Sequence, residues 1–366
     1  MKMTTLYDPM QLGSLALRSR VFMAPLTRNR ARPDGVPGAL AATYYSQRAS
    51  AGLIITEATQ ISPMGKGYVN TPGIHSAEQI ERWGAVVDRV HASGGTIFLQ
   101  LWHVGRISHT SLLPGGLQPV APSAVRANSQ TFTTTGLTDV SDPRALTLAE
   151  IKQTVADYGT AAANARTAGF DGVEVHAANG YLIDQFLRTG ANHRTDAYGG
   201  SAANRARFLT DVIEAVTKAW EPKSIGVRLS PLGSFNDMID SDPEQTFGVA
   251  IERLNPYGLG YLHVVERAQD VLPNAEADTA LIQRLRKAWR GVYVANSGYD
   301  RARGEAAVRS GHADAIAYGR LFLANPDLPR RLQDDAPFNA PDAAGFYGGS
   351  DKGYTDYPVW AGATVN

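Results

Sequence analysis

Short apolar runs rich in β-branched residues recur along the chain. Between them lie longer stretches whose apolar positions repeat every three to four residues. The runs at 20–24, 53–56, 96–101, 173–176, 225–229, 261–265, 292–295 and 313–318 predict strands, and the stretches 38–51, 77–92, 148–168, 203–220, 243–254, 279–289 and 301–310 predict amphipathic helices. Thr147-Leu148-Ala149-Glu150 is a capping box, Asp242-Pro243 is a cap followed by proline at the first helical position, and Gly169, Gly291 and Gly311 stand where helices should stop. Eight strands alternating with helices point to parallel βαβ units, and eight is the number that closes a (β/α)8 barrel. An open doubly wound sheet is the competing α/β architecture, but no Gly-x-Gly-x-x-Gly follows the first strand. The expected fold is a single-domain TIM barrel spanning 1–366.

One interval breaks the rhythm. Between the third and fourth strands, residues 104–146 form an excursion rich in Pro, Gly, Ser and Thr, with a predicted hairpin at 130–138. Long ordered insertions in barrels usually cover the mouth, so a lid is expected there. Residues 333–366 form an irregular tail dense in glycine and aromatics, expected to pack on the barrel.

Composition narrows the function classes. With 43% hydrophobic and 19% charged residues among 366, the chain can bury a large core. Its formal net charge of +0 gives no electrostatic reason for a nucleic acid or an anionic membrane. The absence of cysteine excludes disulfides, thiolate nucleophiles and cysteine-ligated iron–sulfur or zinc sites. Met1 to Pro9 carries no apolar leader and no uninterrupted apolar run reaches 18 residues, so a soluble cytoplasmic protein is expected, as monomer or homodimer.

Barrel chemistry sits at the C-terminal ends of the strands. Those ends supply Pro25 and Thr27, Ala58, Gln100 with Trp102 and His103, then His176, Arg228, Ser297-Gly298 and Gly319-Arg320. The fourth end is the densest, reading Gly172-Val173-Glu174-Val175-His176-Ala177-Ala178-Asn179-Gly180-Tyr181. If the chain turns into a helix at Ala177, His176 and Asn179 share a face. Two adjacent donors suit one polarised oxygen, and Tyr181 can deliver a proton nearby. A satisfied core histidine followed by an Asn-Gly turn reads the same letters. Arg228 needs an anionic partner inside its strand, either a core carboxylate such as Glu174 or Glu57 or a cofactor that becomes anionic on reduction. Ser297-Gly298 and Gly319-Arg320 follow strands seven and eight, where barrels commonly take phosphate; a glycine-rich connection with a surface arginine is the plain alternative. Trp102 is either core or pocket wall, and Tyr68 and Tyr347 fall on predicted loops. No histidine pair has metal-ligand spacing, and there is no serine nucleophile elbow or Walker loop.

These residues together resemble the Old Yellow Enzyme family of FMN-dependent ene-reductases, in particular its bacterial branch of N-ethylmaleimide, pentaerythritol tetranitrate and morphinone reductases. The resemblance runs through Met23-Ala24-Pro25-Leu26-Thr27-Arg28, Gln100-Leu101-Trp102-His103-Val104-Gly105-Arg106, the His176–Tyr181 segment, Asn192-His193-Arg194-Thr195-Asp196-Ala197-Tyr198-Gly199-Gly200 and the Lys352–Pro358 stretch. It implies that Thr27, Gln100, Ala58 and Pro25 hold the flavin ring, that Arg228 stabilises its anionic reduced form, and that Ser297, Gly298, Gly319 and Arg320 take its phosphate. It further implies that His176 and Asn179 grip the substrate oxygen, that Tyr181 donates the proton, and that Trp102, Tyr68 and Tyr347 shape the pocket. The redox-sensing subgroup carries cysteine at the position of Thr27 and is not indicated.

The implied activity is ping-pong reduction of activated C=C bonds by NADPH or NADH through tightly bound FMN, of the NADPH dehydrogenase or N-ethylmaleimide reductase type. Electron-poor enones, enals, maleimides and nitroalkenes are the implied substrates, with nitrate esters or nitroaromatics as extensions. A flavin- and phenol- or steroid-binding protein with little turnover is the alternative. A flavin-free lyase would need a catalytic lysine or metal, and no lysine lies at a strand end.

Overall fold

The computed structural model describes residues 4–266 and 275–362; the first three residues and the last four of the expected tail lie outside the described residues. Eight parallel strands close on themselves: β1 Val21–Met23, β2 Leu53–Ile55, β3 Ile97–Trp102, β4 Gly172–His176, β5 Ile225–Leu229, β6 Tyr261–Val265, β7 Val292–Asn296 and β8 Ala315–Tyr318. Each strand pairs with the next, β8 returns to β1, and the register of β4 on β3 sets Glu174 opposite Gln100. The expected barrel is the observed one. Around it run α1 Ala41–Ser46, α2 Ala77–Ala92, α3 Leu148–Thr167, α4 Arg207–Thr217, α5 Pro243–Leu254, α6 Ala275–Ala288 and α7 Arg301–Arg309.

Most helix boundaries follow their signals. Thr147 and Glu150 complete the capping box of α3, and Asp242 caps α5 ahead of Pro243. Two expectations fail at the edges. The helix expected over 38–51 shortens to Ala41–Ser46, and the one over 203–220 divides into Ala202–Arg205 and α4.

Alternation along the strands separates two environments. Val21, Met23, Ile54, Leu99, Val173, Val175, Val227 and Leu262 face outward and pack with the helices. Phe22, Ala24, Leu53, Ile55, Phe98, Tyr261, Val294 and Ala315 share an inner cluster with Met10, Leu12 and Leu17 of the antiparallel hairpin that closes the N-terminal end. Gly226 belongs to the same inner set; a Cβ there would lie 2.2 Å from the Tyr261 ring, so the tyrosine occupies space that only glycine leaves free.

Higher in the barrel the inner positions turn polar. Gln100, Glu174, His176, Arg228, His263 and Asn296 all have this parity and all are buried. Glu174, fully buried, accepts from Gln100 Nε2 at 2.7 Å, Tyr261 Oη at 3.0 Å and His263 Nδ1 at 2.9 Å. Burial opposes its charge, but the His263 imidazole, Arg228 and Gln100 outweigh that and hold its pKa below the ordinary carboxylate value. Apolar residues fill the barrel floor, and a charged layer sits on top of them.

Candidate active site

Above that layer opens a cavity of about 950 Å³. It is walled by strand ends, by Ser129, Gln130 and Phe132 of the excursion, by Phe235 and Asn236 of the loop after β5, and by Phe346 and Tyr347 of the tail. Its size is at the upper end of the range of small-molecule sites.

Of the residues expected at the site, Pro25, Thr27, Tyr68, Asn179, Tyr181, Arg228, Ser297, Gly298, Gly319, Arg320 and Tyr347 line this one space. Ala58, Gln100, Trp102 and His176 are buried behind the lining. Trp102 is fully buried, which favours the core alternative: its ring stacks on Tyr68 at 5.8 Å and on His176 at 6.4 Å and meets Tyr181 edge-on at 5.0 Å. It is the plate on which the site aromatics Tyr68, His176 and Tyr181 rest.

The turn after β4 corrects a local expectation. No helix begins at Ala177; one begins at Leu182, with Tyr181 as its N-cap. Between them Asn179 and Gly180 take left-handed backbone, φ 56° and 75°. An Asn-Gly pair adopts that conformation readily, so the segment is both the turn and the site. The turn is anchored by Asn179 N–H donating to Ser230 Oγ at 2.8 Å and Gly180 N–H donating to Asp184 at 2.9 Å. The Asn179 side chain makes no hydrogen bond among the described residues and faces the cavity.

His176 Nδ1 accepts from the backbone N–H of Ala178 at 3.3 Å, so the neutral ring carries its proton on Nε2. Burial first, then the charges of Arg228 and His263, push its pKa well below the usual histidine value, so the ring is neutral at physiological pH. Its Nε2–H is a donor with no protein acceptor among the described residues. Tyr181 stands edge-on to His176 at 5.0 Å, and its hydroxyl is 3.1 Å from that of Tyr68. Burial pushes the Tyr181 phenol up to about 12, partly offset by Tyr68, so it keeps its proton. The arrangement offers two neutral donors and one retained phenolic proton around one cavity.

Arg228 resolves differently from either carboxylate suggested for it. Its Nη2 donates to Asn296 Oδ1 at 2.9 Å, and its buried Nε has no partner among the described residues. Glu174 attracts it electrostatically without bonding to it, and Glu57 accepts instead from the backbone N–H of Arg28. An uncompensated guanidinium donor at a cavity wall suits an anionic or electron-rich ring. After β7, Ser297 and Gly298 both hold left-handed backbone, φ 86° and 71°, an uncommon state for a residue with a Cβ. Gly319 then caps the short helix Arg320–Ala324. Donors, glycine and a cation at this end fit a phosphorylated flavin whose ring reaches Arg228. Among the described residues no group of three or more histidines and acids can hold a metal ion, and no helix is long and apolar enough to cross a membrane.

Asn236 was missed by sequence reasoning. Its Nδ2 donates to the carbonyl of Asn179 at 2.8 Å, its Oδ1 accepts from Ser129 Oγ at 3.0 Å, and Arg106 Nη2 holds its carbonyl at 3.3 Å. The only local signal is Asn236-Asp237, a pair able to take the left-handed φ of 61° and 60° that it shows.

Comparison with known proteins agrees with this geometry. A family model described as NADH:flavin oxidoreductase / NADH oxidase matches residues 5–339. The chain is 46% identical to 12-oxophytodienoate reductase 1 of Oryza sativa subsp. japonica over 356 residues, 96% of this chain and 92% of that one. It is 42% identical to 12-oxophytodienoate reductase 2 of Arabidopsis thaliana over 357 residues, covering 96% and 95%. Among solved structures, morphinone reductase in complex with tetrahydroNAD superposes with a TM-score of 0.92 at 48% identity, covering 98% of both chains. The Old Yellow Enzyme homologue from Zymomonas mobilis gives 0.93 at 44%, covering 98% and 100%. A closed barrel with an unpartnered arginine Nε at a flavin-sized cavity, matched along nearly its whole length, places this chain in the FMN-binding NADH:flavin oxidoreductase / NADH oxidase family, among ene-reductases of the Old Yellow Enzyme type.

Proposed function

We propose that this chain reduces the C=C bond of electron-poor alkenes with NADPH or NADH, as an enzyme of the NADPH dehydrogenase or N-ethylmaleimide reductase type. The observation that carries the reading is a cavity lined by the free Asn179 amide and a protonated Tyr181, with the neutral His176 ring directly behind the lining, 5.0 Å from Tyr181 between ring centres. The similar proteins are named as reductases of 12-oxophytodienoate and of morphinone, both oxo compounds.

FMN, when bound, supplies the two-electron chemistry between nicotinamide and alkene. Arg228 and Thr27 line the space for its ring, with Gln100 and Ala58 behind them, and Ser297, Gly298, Gly319 and Arg320 form the phosphate end. The substrate's carbonyl or nitro oxygen accepts from His176 Nε2–H and from the Asn179 amide. As the β-carbon gains hydride, negative charge grows on that oxygen, and two fixed neutral donors stabilise it without themselves reorganising. Tyr181 gives its proton to the α-carbon and recovers it from solvent, with Tyr68 in hydrogen-bond contact. The balance is one hydride and one proton added across the double bond, and one nicotinamide oxidised. Excursion 104–146 and the tail act as cover, excluding water from the growing charge.

Purified holoprotein should consume NADPH or NADH under anaerobic conditions only when 2-cyclohexenone or a nitroalkene is supplied, yielding the saturated product. Flavin-loaded protein that binds these compounds without turnover would instead support the binding-protein alternative.

A further inference from the structure

The tail of this barrel has almost no regular structure, yet it places two aromatic side chains at the cavity. Between residue 334 and residue 362 the only helix is the single turn Ala343–Gly345. Backbone carbonyls in such a segment need partners from elsewhere. Three of them find one side chain. Arg28, fully buried in the loop after β1, donates from Nε to Phe346 O at 3.0 Å, and from Nη2 to Gly345 O at 3.1 Å and Gly353 O at 2.6 Å. Its own carbonyl accepts from Gly348 N–H at 2.9 Å. The bonds therefore fall on both sides of Tyr347. Arg30 adds a second set, from Nε to Ser350 O at 3.0 Å and from Nη2 to Gly345 O and Lys352 O, each at 3.1 Å. The Arg28 guanidinium also lies 5.0 Å from the ring centres of Tyr44 and Tyr354, which stack on each other at 4.2 Å.

We propose that Arg28 is a positioning residue: it latches the tail so that Phe346 and Tyr347 stand as a fixed wall of the cavity, contacting the distal part of a large substrate. The proposal rests on the reading of this cavity as an alkene site. Arginine is required because a planar fork reaches several carbonyls at once, which a lysine ammonium at the end of a flexible stem does not. The latch belongs to the same backbone segment as Thr27, so wall and cavity floor share one anchor. Tyr347 is 58% exposed and meets Phe132 of the excursion at 6.3 Å, so it stands at the rim. A polycyclic enone held by His176 and Asn179 offers more apolar surface to that wall than a single-ring one does.

The test uses FMN-loaded Arg28→Lys, with Arg30→Met as a milder variant that cuts tail bonds while keeping an apolar stem, and Tyr347→Ala as reference. Hydrogen exchange of the 343–354 amides reads the latch without turnover, and steady-state KM is compared for 2-cyclohexenone and a steroidal enone. Both arginine variants should speed exchange in that segment. Arg28→Lys should raise the KM of the steroidal enone about tenfold relative to that of 2-cyclohexenone, equivalent to about 1.4 kcal/mol. Tyr347→Ala should show the same preference change, and adding Arg28→Lys to it should cause no further change. Unchanged tail exchange, equal KM changes for the two substrates, or full additivity with Tyr347→Ala would each overturn the proposal. A wild-type holoprotein inert towards both enones, with exchange responding as expected, would overturn the alkene-site reading and the substrate-contact half of the proposal with it, leaving only the latch.

Discussion

Replacing Tyr181 by phenylalanine removes one oxygen and leaves the ring in place. The edge-on contacts with Trp102 and His176, each 5.0 Å between centres, survive the change. What disappears is the proton for the α-carbon and the 3.1 Å contact with Tyr68. Folding stability should fall by about 1 kcal/mol, the usual net worth of one neutral hydrogen bond. The kinetic loss is larger, since a positioned general acid contributes about 10²–10⁴-fold. Two features put this site at the lower end. Burial raises the Tyr181 phenol to about 12, making it a weaker acid than an ordinary phenol near 10. Tyr68, a second phenol within 3.1 Å of the missing oxygen, remains to pass protons from solvent. The expected loss is therefore about 10²-fold for 2-cyclohexenone. The assay is anaerobic stopped flow of the pre-reduced holoprotein, following flavin absorbance on mixing with substrate. A nitroalkene forms a nitronate stable enough to leave and collect its proton from water, so its rate should stay within about threefold of wild type, because no general-acid term is lost. Adding Tyr68→Phe should deepen the enone defect. Equal losses on enone and nitroalkene would refute the assignment of Tyr181 as proton donor.

Two further outcomes follow from the geometry. Asn236→Asp keeps the side-chain shape and tolerates the left-handed backbone but loses the amide donated to Asn179 O, so enone KM should rise about tenfold with a smaller change in kcat, while Asn236→Gly, which accepts that φ freely, separates backbone strain from the lost amide; unchanged KM in both would remove Asn236 from the site. Stability against pH should carry two opposed contributions. Burial depresses the His103 pKa to about 3, so its contribution is complete above about 6.5 and is lost as pH falls; burial raises that of Glu57 to about 7, so its contribution is complete below about 4.5 and is lost as pH rises through 7. Between pH 7 and pH 5 each amounts to about 2 kcal/mol. From pH 7 to pH 5 the urea midpoint of His103→Gln should therefore rise relative to that of wild type, and that of Glu57→Gln should fall relative to it; parallel profiles for all three would contradict both assignments.

Much of this site is legible locally. The His176–Tyr181 segment is close in sequence, ends a strand and contains an Asn-Gly turn, so its chemistry can be read from the letters alone. The error there was conformational: a helix at Ala177 and the observed left-handed turn both bring an imidazole and an amide to one end of a strand, and short-range pattern does not separate them. Trp102 shows a different limit. A tryptophan at a strand end is equally compatible with wall and plate, and only its complete burial under Tyr68 places it behind the lining. Asn236 carries no periodic or motif signal because its importance comes from two partners 57 and 107 residues away.

The sequence by itself determined the strands and most helices, the closure expected from eight βα units, and the kinds of group at each strand end. Those properties follow from spacing within a few residues, where side-chain period and capping are set by backbone geometry. Only the tertiary structure decided which groups meet. It gave Arg228 an asparagine and left its Nε open, assigned Glu174 to Gln100, Tyr261 and His263, and tied Gly353 to Arg28 across 325 residues. Such pairings depend on strand register and close packing around one barrel, where buried polar atoms take whichever partners the closed fold brings within reach.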